Sequence, residues 1–130
     1  MARILLAEDD DSVRAFVRRA LELDGHTVFA VEDGSVALET LESDAGGFDL
    51  LVSDIKMPIM DGIALALNVA RDKPDLPILL MTGYADQRER AHGLDQIVRD
   101  VVSKPFTLAD IRRVVAATLA GSAEPSRMVG

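Results

Sequence analysis

The chain has no cysteine. Disulfides and thiolate metal sites are therefore excluded, and nothing points to an oxidising compartment. No apolar run approaches the length of a membrane span. The start, Met1-Ala2-Arg3, enters a short apolar stretch that turns acidic at Glu8, too soon for a secretion signal. Positive charge is also scarce: 14 Lys and Arg stand against 22 Asp and Glu, a formal net charge of −8. Such a chain is not drawn generally to nucleic acid or to anionic membrane, and neither is expected as a partner. There is no internal repeat. A soluble cytoplasmic protein is the expectation.

What is present suits one domain. At 130 residues and 48% hydrophobic content the chain can bury a real core but cannot accommodate a second domain of ordinary size. Strand-like and helix-like segments alternate five times. Asp10 or Asp11 caps a first helix whose Val13, Phe16, Val17, Ala20 and Leu21 share a face. Gly25 stops it, and His26 to Val31 reads as a strand. Helices are expected near Ser35 to Leu41, Ile63 to Ala70 and, with almost wholly polar side chains, Asp86 to Gly93. Strands are expected at Phe48 to Ser53, Ile78 to Met81 and Ile97 to Ser103. Thr107 opens a last helix with the capping-box pattern Thr-x-x-Asp, and Leu108, Ile111, Val114, Val115 and Leu119 form its buried stripe. Residues 1–120 make the domain, and 121–130 are expected to form a disordered tail. Strands alternating with helices imply an α/β fold: a single doubly wound, five-stranded parallel sheet with helices on both faces. Near-continuous apolar runs such as Ile4-Leu5-Leu6-Ala7 fit strands covered on both sides.

Four of these runs end in polar residues that belong to one chemistry. Glu8-Asp9 follows the first, Asp54 follows Leu50 to Ser53, Thr82 follows Ile78 to Met81, and Lys104 follows Val101 to Ser103. In a doubly wound sheet these ends form one edge, where ligands bind. Carboxylates gathered there repel one another unless a cation or a proton joins them. The set suits a hard divalent metal and a phosphoryl group. Taken singly the residues are unremarkable: a carboxylate at a strand end is usually a solvated loop residue, Lys104 alone a surface lysine, and Thr82 alone a turn residue. Their joint order carries the weight.

That joint pattern resembles the receiver domain of two-component response regulators, the CheY-like family with its flavodoxin-like fold. It rests on Glu8-Asp9, the motif Asp54-Ile55-Lys56-Met57-Pro58-Ile59-Met60-Asp61-Gly62, Thr82-Gly83 and Lys104-Pro105-Phe106, and it covers Arg3 to about Ala120. The resemblance implies a regulatory protein, not an enzyme. Asp54 would be the phosphoacceptor, loaded from phosphohistidine on a histidine kinase or histidine phosphotransferase. Mg²⁺ would be held by Asp9 and Asp54 directly, by Glu8 through water and by the backbone carbonyl of Lys56. Lys104 and Thr82 would contact the phosphoryl oxygens. Gly62 would permit an unusual backbone angle.

Two features depart from the family pattern. Most members carry Tyr or Phe three residues before the lysine, where this chain has Val101, so Tyr84, the single tyrosine, is the candidate substitute. The chain also ends about ten residues after its last helix, so output is expected through protein contact or by passing the phosphoryl group onward, and the face expected to change is that formed by Asp86 to Gly93, Val98 to Ser103 and Thr107 to Ala120. The segment Tyr84 to Ala91, with Val101, looks like CpdR-type regulators of alphaproteobacteria, which implies control of proteolysis by the ClpXP protease. His26 and His92 have no partner at ligand spacing, and Glu22, Glu32, Asp33, Glu39 and Glu42 are expected on solvated faces.

Two alternatives compete. Asp9-Asp10-Asp11-Ser12-Val13 also fits the Asp-x-Asp-x-Val motif of haloacid-dehalogenase-like phosphatases, with Asp9 as nucleophile. That reading requires an acidic pair after Lys104, where only Asp110 and Glu124 are available. A pseudo-receiver that binds without phosphorylation is the other; retention of Glu8, Asp9, Asp54, Thr82 and Lys104 argues against it.

Overall fold

A computed structural model describes residues 2–43, 47–83, 91 and 93–121. Its elements run β1 (Arg3–Ala7), α1 (Asp11–Leu23), β2 (Thr27–Val31), α2 (Gly34–Ser43), β3 (Leu50–Asp54), α3 (Gly62–Asp72), β4 (Ile78–Thr82), β5 (Asp100–Ser103) and α4 (Leu108–Gly121). All neighbouring strands pair in parallel, in the order β2-β1-β3-β4-β5. The α/β doubly wound sheet expected from the alternation is the one observed.

Side chains alternate across each strand, so the sheet makes two cores. Ile4, Leu6, Leu50, Val52, Leu79 and Met81 face α1 and α4, where Val17, Leu21, Ile111 and Val115 meet them. Leu5, Ala7, Leu51, Ile78 and Leu80 face the other way, against Ala37 and Leu41 of α2 and Leu65, Ala66 and Val69 of α3. β3 and β4 are buried throughout, as central parallel strands must be. Val13 and Phe16 of the predicted α1 face stay only partly covered, Phe16 at 39% exposure.

Caps set the helix starts. Asp10, of the two candidates, caps α1: its Oδ1 accepts from the Ser12 and Val13 amides at 2.8 and 3.0 Å. The Thr107–Asp110 box forms as expected, each side chain accepting the other's amide at 3.0 Å. Asp33 corrects the solvated-face reading, because it is buried and its Oδ1 accepts from the Ser35 and Val36 amides that open α2. Asp61 caps α3 through the Ala64 amide.

Three strands begin later than expected. His26 stays outside β2, its Nδ1 accepting from the Ala2 amide at 3.0 Å. Phe48 packs edge-on to Phe29, with the Arg3 guanidinium over both rings. Ile97 and Val98 both donate to the Leu94 carbonyl, a turn that delays β5 to Asp100. Among the described residues no helix is long and apolar enough to cross a membrane.

Candidate functional site

The strand order places β1, β3, β4 and β5 side by side, with β2 outside them. Consecutive neighbours therefore end in Glu8-Asp9, Asp54, Thr82 and Lys104, beside the crevice where the strand order reverses between β1 and β3. Thr82 is the last residue of β4 and its carbonyl accepts the Lys104 amide at 2.7 Å. That bond carries Lys104 to the same edge although it lies 96 positions from Glu8. The Lys104–Pro105 peptide is cis.

Four of the six predicted site residues meet through their side chains. Glu8, Asp9 and Asp54 each offer a carboxylate oxygen within 4.8 Å of the others. The Lys104 ammonium bridges Glu8 Oε1 at 3.0 Å and Asp54 Oδ1 at 3.2 Å. Glu8 is fully buried and Asp54 nearly so, whereas Asp9 is exposed. Asp54 Oδ1 also accepts the Ile55 amide at 3.0 Å, and Glu8 Oε2 accepts the Asp10 amide at 3.1 Å. Thr82 is buried beside Ser103. Lys56 follows two residues after Asp54 and lines the same open cleft of about 860 Å³, whose far wall is made by Phe16 and Phe106 with ring centres 6.3 Å apart.

Burial governs the electrostatics. It pushes Glu8 up to about 7; the Asp54 charge pushes the same way, while the Asp10 amide and Lys104 pull back. Burial also raises Asp54 above the usual carboxylate range, against the opposing pull of Lys104. Burial disfavours the Lys104 ammonium too, but its bond to Glu8 and the charges of Asp54 and Glu8 outweigh that and raise its pKa. With all three carboxylates ionised, one ammonium leaves two negative charges uncompensated. This is a hard, all-oxygen donor set lacking the charge of one divalent cation, and Mg²⁺ fits it.

Gly62 is needed for a different reason from the one expected. It has no positive φ; instead a Cβ there would lie 2.1 Å from the Asp54 carbonyl oxygen. The unusual angle belongs to Ile59, at φ 69°, in a turn closed by the Met60 amide on the Pro58 carbonyl at 2.7 Å. Ile59 is 84% exposed. Val101, at the position of the family aromatic, is half-buried against the α3-side core. Tyr84, His92 and the stretch Asp86 to Arg90 lie outside the described residues. Sequence reasoning overlooked Arg14, whose Nη1 donates to the Glu8 backbone carbonyl at 2.9 Å; its spacing of three from Asp11 was the available signal.

The response regulator receiver domain family matches residues 4–116. The chain belongs to that family. The receiver is 42% identical over 111 residues to the response regulator receiver protein CpdR of Brucella abortus, covering 85% of this chain and 91% of that one. It is 40% identical over 109 residues to response regulator MprA of Mycobacterium ulcerans, covering 84% of this chain but 46% of MprA, so it spans about half of that relative. Among solved structures, a CheY-like receiver domain protein from Methanospirillum hungatei superposes with a TM-score of 0.86 at 24% identity, covering 95% of this chain and 98% of that one. Response regulator TrrA from Thermotoga maritima, solved in complex with Mg²⁺-BeF, gives 0.80 at 28% identity, covering 91% and 99%. Receiver domains are generally regulatory rather than catalytic. Of the acidic pair that the phosphatase reading requires, Asp110 is engaged with Thr107 and Arg113 at the start of α4; Glu124 lies outside the described residues.

Proposed function

We propose that this receiver works in a two-component phosphorelay, with Asp54 accepting a phosphoryl group from phosphohistidine on a histidine kinase or phosphotransferase. The observation that carries the reading is the Lys104 ammonium shared between buried Glu8 and Asp54, beside exposed Asp9. A carboxylate oxygen of Asp54 forms the new O–P bond as the P–N bond of the donor breaks, and the imidazole nitrogen keeps the electron pair. Lys104 offsets charge on the phosphoryl oxygens, and the Thr82 hydroxyl hydrogen-bonds one of them after transfer. Asp9 and Asp54 would hold Mg²⁺ directly, Glu8 through water and the Lys56 carbonyl as a further oxygen. When bound, Mg²⁺ supplies the positive charge that lets an anionic carboxylate approach an anionic phosphoryl group.

Loading of Asp54 then switches a protein-binding face. The likeness to CpdR over 91% of that protein supports an output through regulated proteolysis by ClpXP, in the cytoplasm where the donor kinases deliver phosphate. Incubation with Mg²⁺ and a small phosphodonor should add one phosphoryl mass to wild type and none to Asp54→Ala or to wild type in chelator. Label that persists in Asp54→Ala refutes the assignment. Degradation of a ClpXP substrate that responds equally to loaded and unloaded protein refutes the output reading.

A further inference from the structure

Arg14 is a charged side chain that the proposed chemistry does not use, yet it is tied to the acidic edge. Helical side chains lean toward the N-terminus, so Arg14 on the first turn of α1 reaches back over the loop that carries Asp9 and Asp10. Its Nη1 donates to the Glu8 backbone carbonyl at 2.9 Å and its Nη2 to Asp11 Oδ1 at 2.5 Å. The Arg14 side chain is only 20% exposed, while that of its Asp11 partner is 84% exposed. The bond to Glu8 falls where β1 ends: the Glu8 amide still donates to Val31 of β2, but its carbonyl turns to Arg14. Next along the chain, the Asp10 amide is held by Glu8 Oε2 and the Asp10 side chain by the helix amides. Asp9, the exposed member of the carboxylate triad, therefore sits between two residues whose backbones are fixed.

We infer that Arg14 is a positioning residue for the cation site: its fork joins the end of β1 to the first turn of α1 and sets the place of the Asp9 carboxylate. This rests on the reading of Glu8, Asp9 and Asp54 as the Mg²⁺ site. Geometry and charge make opposite demands here. A cation beside a cation site repels Mg²⁺, so if Arg14 acted by charge alone its removal would tighten binding. If it acts by position, removal loosens binding, because partners that orient metal ligands typically carry 10–100-fold in affinity. Lysine keeps the charge but cannot span both acceptors with a planar fork.

The test is Mg²⁺ titration of the phosphoryl-free protein by calorimetry for wild type, Arg14→Met and Arg14→Lys. Amide NMR of Asp9 and Asp10 without metal gives a second readout, and the Mg²⁺ concentration for half-maximal labelling by a small phosphodonor gives a third. Arg14→Met is expected to bind Mg²⁺ about 10-fold more weakly, with shifted Asp9 and Asp10 amides. Arg14→Lys is expected to fall between it and wild type. Affinity equal to or tighter than wild type in Arg14→Met overturns the inference. Wild-type affinity in Arg14→Lys also overturns it, and this variant serves if Arg14→Met does not fold. Absence of Mg²⁺ binding in wild type would instead refute the metal site on which the inference stands.

Discussion

Replacing Glu8 with glutamine should stabilise the metal-free receiver at alkaline pH, although the residue lies at the centre of its candidate site. Glu8 is fully buried, and its pKa is pushed from 4.5 to about 7, first by burial and then by the Asp54 charge. In the unfolded chain the carboxyl ionises above 4.5, while the folded protein keeps its proton until about 7. The folded state therefore binds more protons across that window, and stability must fall as pH rises from 4.5 to 7. The separation corresponds to about 3 kcal/mol at roughly 1.4 kcal/mol for each pH unit. Glutamine imitates the protonated acid at every pH. Glu8→Gln should thus exceed wild type by about 3 kcal/mol at pH 8, with the difference vanishing near pH 4.5. Urea unfolding at both pH values is the assay; with slopes of roughly 1–3 kcal/mol/M the midpoint should move by about 1 M or more. Mg²⁺ at 100 times its Kd should restore about 2.7 kcal/mol to wild type. Equal stability at pH 8, or a difference that survives at pH 4.5, refutes the argument.

Gly62→Ala should destabilise by at least the upper end of roughly 1–3 kcal/mol, because its Cβ would overlap the Asp54 carbonyl; thermal unfolding and Mg²⁺ affinity should both suffer. Ile59→Asn should raise stability by about 1 kcal/mol, since asparagine tolerates the positive φ that a β-branched side chain does not; an unchanged or lower urea midpoint counts against strain there. Burial holds His26 below its ordinary pKa, and its unprotonated Nδ1 accepts the Ala2 amide. Its contribution is present above pH 6.5 and lost as pH falls through that value toward the folded pKa. Relative to His26→Asn, wild type should therefore lose stability between pH 7.5 and 5.5, and a pH-independent difference between the two would rule this out.

The alternation of apolar runs with amphipathic segments made the architecture legible, because each strand had to be covered on both faces. The edge residues were legible for a related reason: a polar group that ends a buried strand has one direction in which to emerge. Strand order was not in the pattern. It follows from right-handed crossovers and packing, and it is what sets β1 against β3 and brings Lys104 to Glu8. Three misreadings share one cause. Asp33 looks solvated until the amides of α2 need an acceptor, Gly62 looks like a turn glycine until Asp54 approaches it, and Ile97-Val98 looks like a strand until both amides bond to Leu94. Each depends on a partner that chain-local spacing does not reveal. Arg14 escaped notice similarly, since its acceptor is a carbonyl that shows no signature in the sequence.

The loop that leaves Asp54 is pinned at two backbone points: Gly34 donates to Met60 at 3.1 Å, and Gly62 donates to Ile55 at 2.7 Å. A Cβ at Gly34 would meet the Met60 oxygen at 2.3 Å, so α2 and α3 both start hard against this loop. Such a hinge has no slack. Movement on this side of the crevice would have to drag two helices along, which makes it the stationary bank of the site.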